Sequence, residues 1–91
     1  MSDTVSNNAG EHRYELIVDG HVATAHYRLQ PGVITFDHTV VPEALGGRGV
    51  GSALARGALD DARAQGLKVV PQCPFIAGYI KKHPEYADLV A

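Results

Sequence analysis

Four glycines in six residues, Gly46-Gly47-Arg48-Gly49-Val50-Gly51, stand between the most strand-prone stretch of the chain and its longest helical stretch. A backbone this free can turn several successive N–H groups toward one point, and a helix starting there adds the positive end of its dipole. The combination predicts an anion site, with phosphate as the natural ligand. Spacing then narrows the phosphate chemistry. A nucleotide-triphosphate loop requires lysine after its last glycine, whereas Ser52-Ala53 follows Gly51. The dinucleotide fingerprint requires G-x-G-x-x-G and an acidic residue about 20 positions on. Here Gly47, Gly49 and Gly51 read G-x-G-x-G, and the downstream stretch is Leu67-Lys68-Val69-Val70-Pro71. Neither reading survives.

The flanks define the fold class. Arg13 to Asp19 alternates, with Tyr14, Leu16 and Val18 on one face, and Asp19-Gly20 supplies a hairpin turn. His21 to Gln30 follows as an antiparallel strand with Ala23, Ala25, Tyr27 and Leu29 on one parity, ended by Pro31-Gly32. Val33 to Val41 is the strongest strand, placing Ile34, Phe36, His38 and Val40 together on one face and Asp37 on the other. Val50, Leu54, Ala58 and Ala62 recur at helical spacing, with Ala55 and Leu59 beside them, so a helix runs from Val50 to Gln65 and stops at Gly66. Leu67 to Gln72 is a short strand. Pro74 opens a second helix, Pro84 stops it, and Glu85 to Val90 add a last turn. The order β-β-β-α-β-α, with the third and fourth strands joined through a helix and hence parallel, is an α+β domain with a mixed, mostly antiparallel sheet.

Composition limits what such a domain does. Ninety-one residues make one domain, read as residues 11–91 behind a flexible polar tail over residues 1–10. A formal charge of -2 gives no electrostatic footprint for nucleic acid. No apolar run is long enough for a bilayer, and one cysteine, Cys73, supplies neither a disulfide staple nor a zinc cage. A cytoplasmic monomer is expected. Five histidines are present, but not at H-x-x-x-H spacing, so no metal site is expected.

The loop before the helix, with Gly49-Val50-Gly51 at its end, resembles the acyl-CoA-binding loop of the GCN5-related N-acetyltransferases. Gly46 departs from the pattern, standing where the family usually has Gln or Arg. His38-Thr39-Val40-Val41-Pro42-Glu43, Cys73-Pro74-Phe75-Ile76 and Tyr79-Ile80-Lys81-Lys82-His83-Pro84-Glu85-Tyr86 extend the likeness to the small YjdJ-type branch, minimal domains without the N-terminal helices of larger members. It spans residues 14–86. The resemblance implies a minimal fold of this family in which the third and fourth strands splay. The pantetheine arm of acetyl-CoA would pair with Val40 and Val41, and its pyrophosphate would lie on the Gly46, Gly47 and Arg48 to Ser52 loop. Arg48 would add charge, Phe75 and Tyr79 would line the cofactor, and Lys82, with Lys81, would reach the ribose phosphate.

The activity implied is transfer of an acetyl group to a primary amine of a protein or small molecule. An amine near pKa ~10.4 must lose a proton before it attacks, and His38, with an ordinary value near 6.5, suits that task. A histidine there also reads as a core residue holding one hydrogen bond. Cys73 at the start of the second helix, expected to face His38 across the splay, is a candidate proton donor or acyl acceptor, or simply a buried packing residue. Tyr79 holds the place of the tyrosine that protonates the leaving thiolate in larger members. Phe75, Tyr79 and His83 also repeat as an aromatic stripe. Two other functions remain open: a non-catalytic acyl-CoA-binding module that senses CoA or regulates a partner, and an interaction domain whose glycines only make turns.

Overall fold

The computed structural model describes residues 5–91. Its strands are β1 (Ser6–Asn8), β2 (Arg13–Val18), β3 (His21–Gln30), β4 (Val33–Val40) and β5 (Lys68–Pro71), and its helices are α1 (Val50–Ala64) and α2 (Pro74–Lys82). They form one sheet in the order β1-β2-β3-β4-β5. The first three pairings are antiparallel and β4 with β5 is parallel, α1 making the crossover. Asp19 and Gly20 both take positive φ, 50° and 79°, the geometry that matches a two-residue turn to the strand twist. At the far end of α1, Gly66 adopts φ 71°, its N–H donates to Arg63, and the Leu67 N–H reaches the Ala62 carbonyl. This pair of bonds closes the helix and aims the chain into β5.

One face of the sheet holds the core. Tyr14, Leu16, Ala23, Ala25, Tyr27, Ile34 and Phe36 are buried against Leu54, Ala55, Ala58, Leu59 and Ala62 of α1 and Ile76 and Ile80 of α2. The alternation read in β2 holds throughout, and Tyr14 ends in a hydrogen bond from its hydroxyl to Asp61 Oδ2 at 2.6 Å. The 3-10 segment Pro84–Leu89 folds back, held by Arg63 on Asp88, and Val90 lies parallel to Val69 on the outer edge of β5. No described helix is long and apolar enough to cross a membrane.

Three expectations are corrected. Residues 5–10, read as part of a flexible tail over residues 1–10, are built into the fold: Ser6–Asn8 pair with Arg13–Glu15, Asn7 Oδ1 accepts from the Tyr27 hydroxyl at 2.6 Å, and Val5 packs onto Gly57 of α1. Residues 1–4 lie outside the described residues. Leu29, placed with the core-facing set, is exposed near the end of β3. In β4 the parity changes: Tyr27 pairs with Phe36 but His26 pairs with His38, leaving Asp37 unmatched as a bulge. One extra residue flips every later side chain to the other face. Thr39 therefore joins the helix side, while His38 and Val40 are exposed on the open side of the sheet.

Candidate functional site

The two parallel strands part. Their pairing runs from Val33↔Lys68 to Phe36↔Pro71, and the last bond between them is the Cys73 N–H to the Phe36 carbonyl at 2.9 Å. Beyond it β4 continues through Asp37–Val40, while β5 has turned away at Pro71 and led into α2. The mouth of this gap carries the glycine loop.

That loop is pinned by Leu45, 1% exposed, at the end of a 3-10 turn over Glu43–Leu45. The Gly46 N–H is spent on Glu43 at 3.0 Å and the Arg48 N–H makes a long bond to Leu45 at 3.4 Å. These two amides, expected to face the ligand, instead hold the turn together. Gly47 at φ 77° and Gly49 at φ 71° then swing the chain into α1. The first helical bond is Ala53 N–H to Gly49 at 3.0 Å, and no side chain caps the helix. The amides of Gly47, Gly49, Val50, Gly51 and Ser52 donate to no protein acceptor among the described residues. Five amides without a protein acceptor thus stand at or just before the positive end of the α1 dipole. The Arg48 guanidinium reaches across to Asp19 in the β2–β3 turn at 2.6 Å, so its charge is matched there rather than free.

Two adjoining grooves run from the loop. One, of about 250 Å³, is bounded by Val41, Leu45, Gly46, Gly47, Gly49 and Phe75. The other, of about 220 Å³, lies between α1 and α2, with Ser52, Phe75, Gly78, Tyr79, Lys82 and His83. Phe75 is 42% exposed and forms the wall they share. Gly51 makes room for it, because a Cβ at that position would lie 2.8 Å from Phe75 Cζ. Tyr79 stacks on His83 with ring centroids 4.1 Å apart, and burial pushes its hydroxyl above the ordinary tyrosine value. Lys82 borders the second groove and Lys81 does not.

The bulge separates residues expected to face one another. Cys73, 3% exposed at the N-cap of α2, lies on the helix side with its Sγ 3.3 Å from Thr39 Oγ1. His38 lies across the sheet, stacked on His26 with centroids 4.3 Å apart and planes at 8°. The His26 ring is held by a 2.9 Å hydrogen bond between Nε2 and Thr24 Oγ1. Burial foremost, then the positive charge of a protonated His38, pushes the His26 imidazole below its ordinary value. Nearby, Arg28 donates to Asp37 Oδ1 at 3.0 Å and to Gln72 Oε1 at 2.9 Å, bridging the bulge on β4 to the chain leaving β5. His26, Thr39, Arg28 and Gln72 carry no motif that marks them in the sequence. Only the register of the strands sets their contacts, Thr39 with Cys73 on the helix side, His26 with His38 on the open side and Arg28 with Gln72 at the strand ends, although histidine on adjacent strands is a visible signal for the pair.

A mixed sheet that parts beside uncapped glycine-loop amides is the architecture of the GCN5-related N-acetyltransferases. The sequence pattern described as GCN5-related N-acetyl-transferase matches residues 13–89, and the chain belongs to that family. A GCN5-like protein from Staphylococcus aureus, solved by NMR, shares the fold at TM-score 0.73 and 30% identity, over 100% of this chain and 91% of its own. Protein NATD1 from Homo sapiens is 38% identical over 52 residues, 57% of this chain and 46% of the relative. Its Danio rerio counterpart is 34% identical over 59 residues, 63% of this chain and 54% of its own. The chain thus spans about half the length of the curated relatives it matches.

Proposed function

We propose that this chain is an acetyl-CoA-dependent N-acetyltransferase that acts on a primary amine of a protein or a small molecule. The observation that supports it most directly is the juxtaposition of five undonated amides with the gap between β4 and β5. The amides of Gly47 and Gly49 to Ser52 suit a diphosphate. The free edge of β4 at Val40, with Val41 beside it, offers backbone partners to the amides of a pantetheine arm. Phe75 covers that path, and Tyr79 and Lys82 border its outer end.

Acetyl-CoA, when bound, supplies an acyl carbon activated as a thioester. His38 on the open face would take the proton that the ammonium must lose before the amine attacks the acyl carbon. Cys73 Sγ or Tyr79 Oη, on the helix face, donates a proton to the sulfur as the C–S bond breaks. The bulge that separates His38 from Cys73 therefore puts the proton acceptor and the candidate proton donor on opposite faces, either side of the gap in which the acyl carbon would lie.

Calorimetry with acetyl-CoA, and release of thiol with a panel of amines, test this reading. Binding should be lost in Gly49→Trp. Turnover should fall at least tenfold in His38→Ala, and in Cys73→Ala or Tyr79→Phe according to which is the acid, with affinity for acetyl-CoA kept. Binding with no turnover on any amine would instead identify an acyl-CoA-binding module, and absence of binding would reduce the glycines to turn residues.

A further inference from the structure

The stacked histidines form the most organised polar feature of the open face. Parallel imidazoles 4.3 Å apart at 8° do not arise from strand pairing alone, since neighbouring side chains of this size have several staggered rotamers. Here one ring is fixed from behind: His26 pairs with His38 across the strands, and Thr24, two residues along β3 on the same face, holds His26 Nε2 at 2.9 Å. Thr24 is itself 9% exposed, so the anchor is buried in the fold. The bulge at Asp37 makes this stack possible, because without the change of parity His38 would point to the helix side.

We propose that His26 is a positioning residue for His38: anchored by Thr24, it fixes the plane of the His38 ring. This rests on His38 acting as the proton acceptor. Two imidazolium charges at stacking distance repel each other, so positive charge on His38 disfavours protonation of His26. The surroundings reinforce this. Arg13 on β2 adds positive charge, itself paired with Glu15 at 2.7 Å, and Asp37 opposes it from β4 while bound to Arg28. A neutral stacked ring leaves the other free to receive a proton from the amine.

The first readout needs no substrate. In NMR titrations of the ring protons, His38→Phe should raise the His26 midpoint by about half a pH unit or more, the scale expected for charges at this separation in high dielectric. Thr24→Val should broaden or shift the His26 resonances, and Thr24→Ser should restore them. The second readout is kinetic. His26→Ala should lower kcat about tenfold with KM for acetyl-CoA unchanged, while His26→Phe, which keeps a flat ring against His38, should recover most of that loss. A His26 midpoint indifferent to His38→Phe overturns the proposal. Loss of turnover in His38→Ala with none in His26→Ala overturns the positioning role and leaves the proposed chemistry standing. Turnover that survives His38→Ala overturns both.

Discussion

Alanine placed at Gly51 and at Gly57 should separate binding from stability, although both positions lie in the same helix. Replacing glycine by alanine inside a helix favours folding by up to about 1 kcal/mol. At Gly51 the new Cβ meets Phe75 Cζ at 2.8 Å, the far end of a ring that is already 42% exposed and free to swing outward. Stability should hold or rise slightly. The swing removes the wall shared by the two grooves, and a ligand deprived of about 50 Å² of apolar wall binds more weakly by roughly 1.3 kcal/mol. Affinity for acetyl-CoA should thus fall about tenfold. At Gly57 the Cβ would sit 2.5 Å from both Cβ and Cγ2 of Val5, and the Val5 Cβ cannot move without the backbone. Expelling the partly buried Val5 forfeits up to about 1.5 kcal/mol of burial and also loosens β1, which together outweigh the propensity gain. Urea denaturation should show Gly57→Ala destabilising in the native background and stabilising beside Val5→Gly, with calorimetry unchanged in both. Unaltered affinity in Gly51→Ala, or a stabilising Gly57→Ala with Val5 in place, would refute the packing on which this reasoning stands.

Alkaline unfolding should report two buried phenols. Tyr86 is pushed up to about 12, by burial first and then by its hydrogen bond to Asp60, and Tyr14 rises in the same direction through burial and Asp61. A phenol whose value is raised on folding stabilises fully below its unfolded value near 10 and loses that contribution as pH climbs through the folded value. The urea midpoint, followed by circular dichroism, should therefore fall between pH 10 and 12, and less steeply in Tyr86→Phe; identical curves would count against the Asp60 contact. Lys82→Ala should weaken binding of CoA several-fold and leave dephospho-CoA unaffected, and equal loss with both ligands would remove Lys82 from the ribose phosphate.

The periodicity of β2, the hairpin at Asp19-Gly20 and both ends of α1 are legible in the chain because each depends on residues a few positions apart. Asp37 is not, since a bulge is set by how two strands settle against each other and no residue type announces it. Strict alternation therefore places everything after it in β4 on the wrong face, including His38. The strand at Ser6–Asn8 is invisible for a related reason: beyond its hairpin partners Arg13–Glu15, it is held by Tyr27 and α1, which are distant in sequence. Gly57 is the available clue, since a glycine in mid-helix costs stability unless something lies close against it.

The gap itself has a cause that can be tested. Regular alternation in β5 would direct the N–H groups of residues 68, 70 and 72 toward β4, and the Lys68 N–H does bond to Gly32 at 2.9 Å. At the other end the order slips by one. The Gln72 N–H turns back to Val70 at 3.1 Å, and the Cys73 N–H takes the bond to Phe36. Proline at 71 holds the φ that such a tight turn needs. Both strands therefore change course at one level, β4 through Asp37 and β5 through Pro71, and Arg28 ties the two departures together through Asp37 and Gln72. Arg28 is 60% exposed, so its ion pair adds little to stability. Its role is geometric. Arg28→Met and Pro71→Ala should each leave the urea midpoint nearly unchanged yet weaken acetyl-CoA binding several-fold, and in Pro71→Ala hydrogen exchange at the Gln72 amide should slow as that residue re-enters the ladder. Affinity that survives both substitutions would mean that the strands part for a reason other than these two turns and the side chain that spans them.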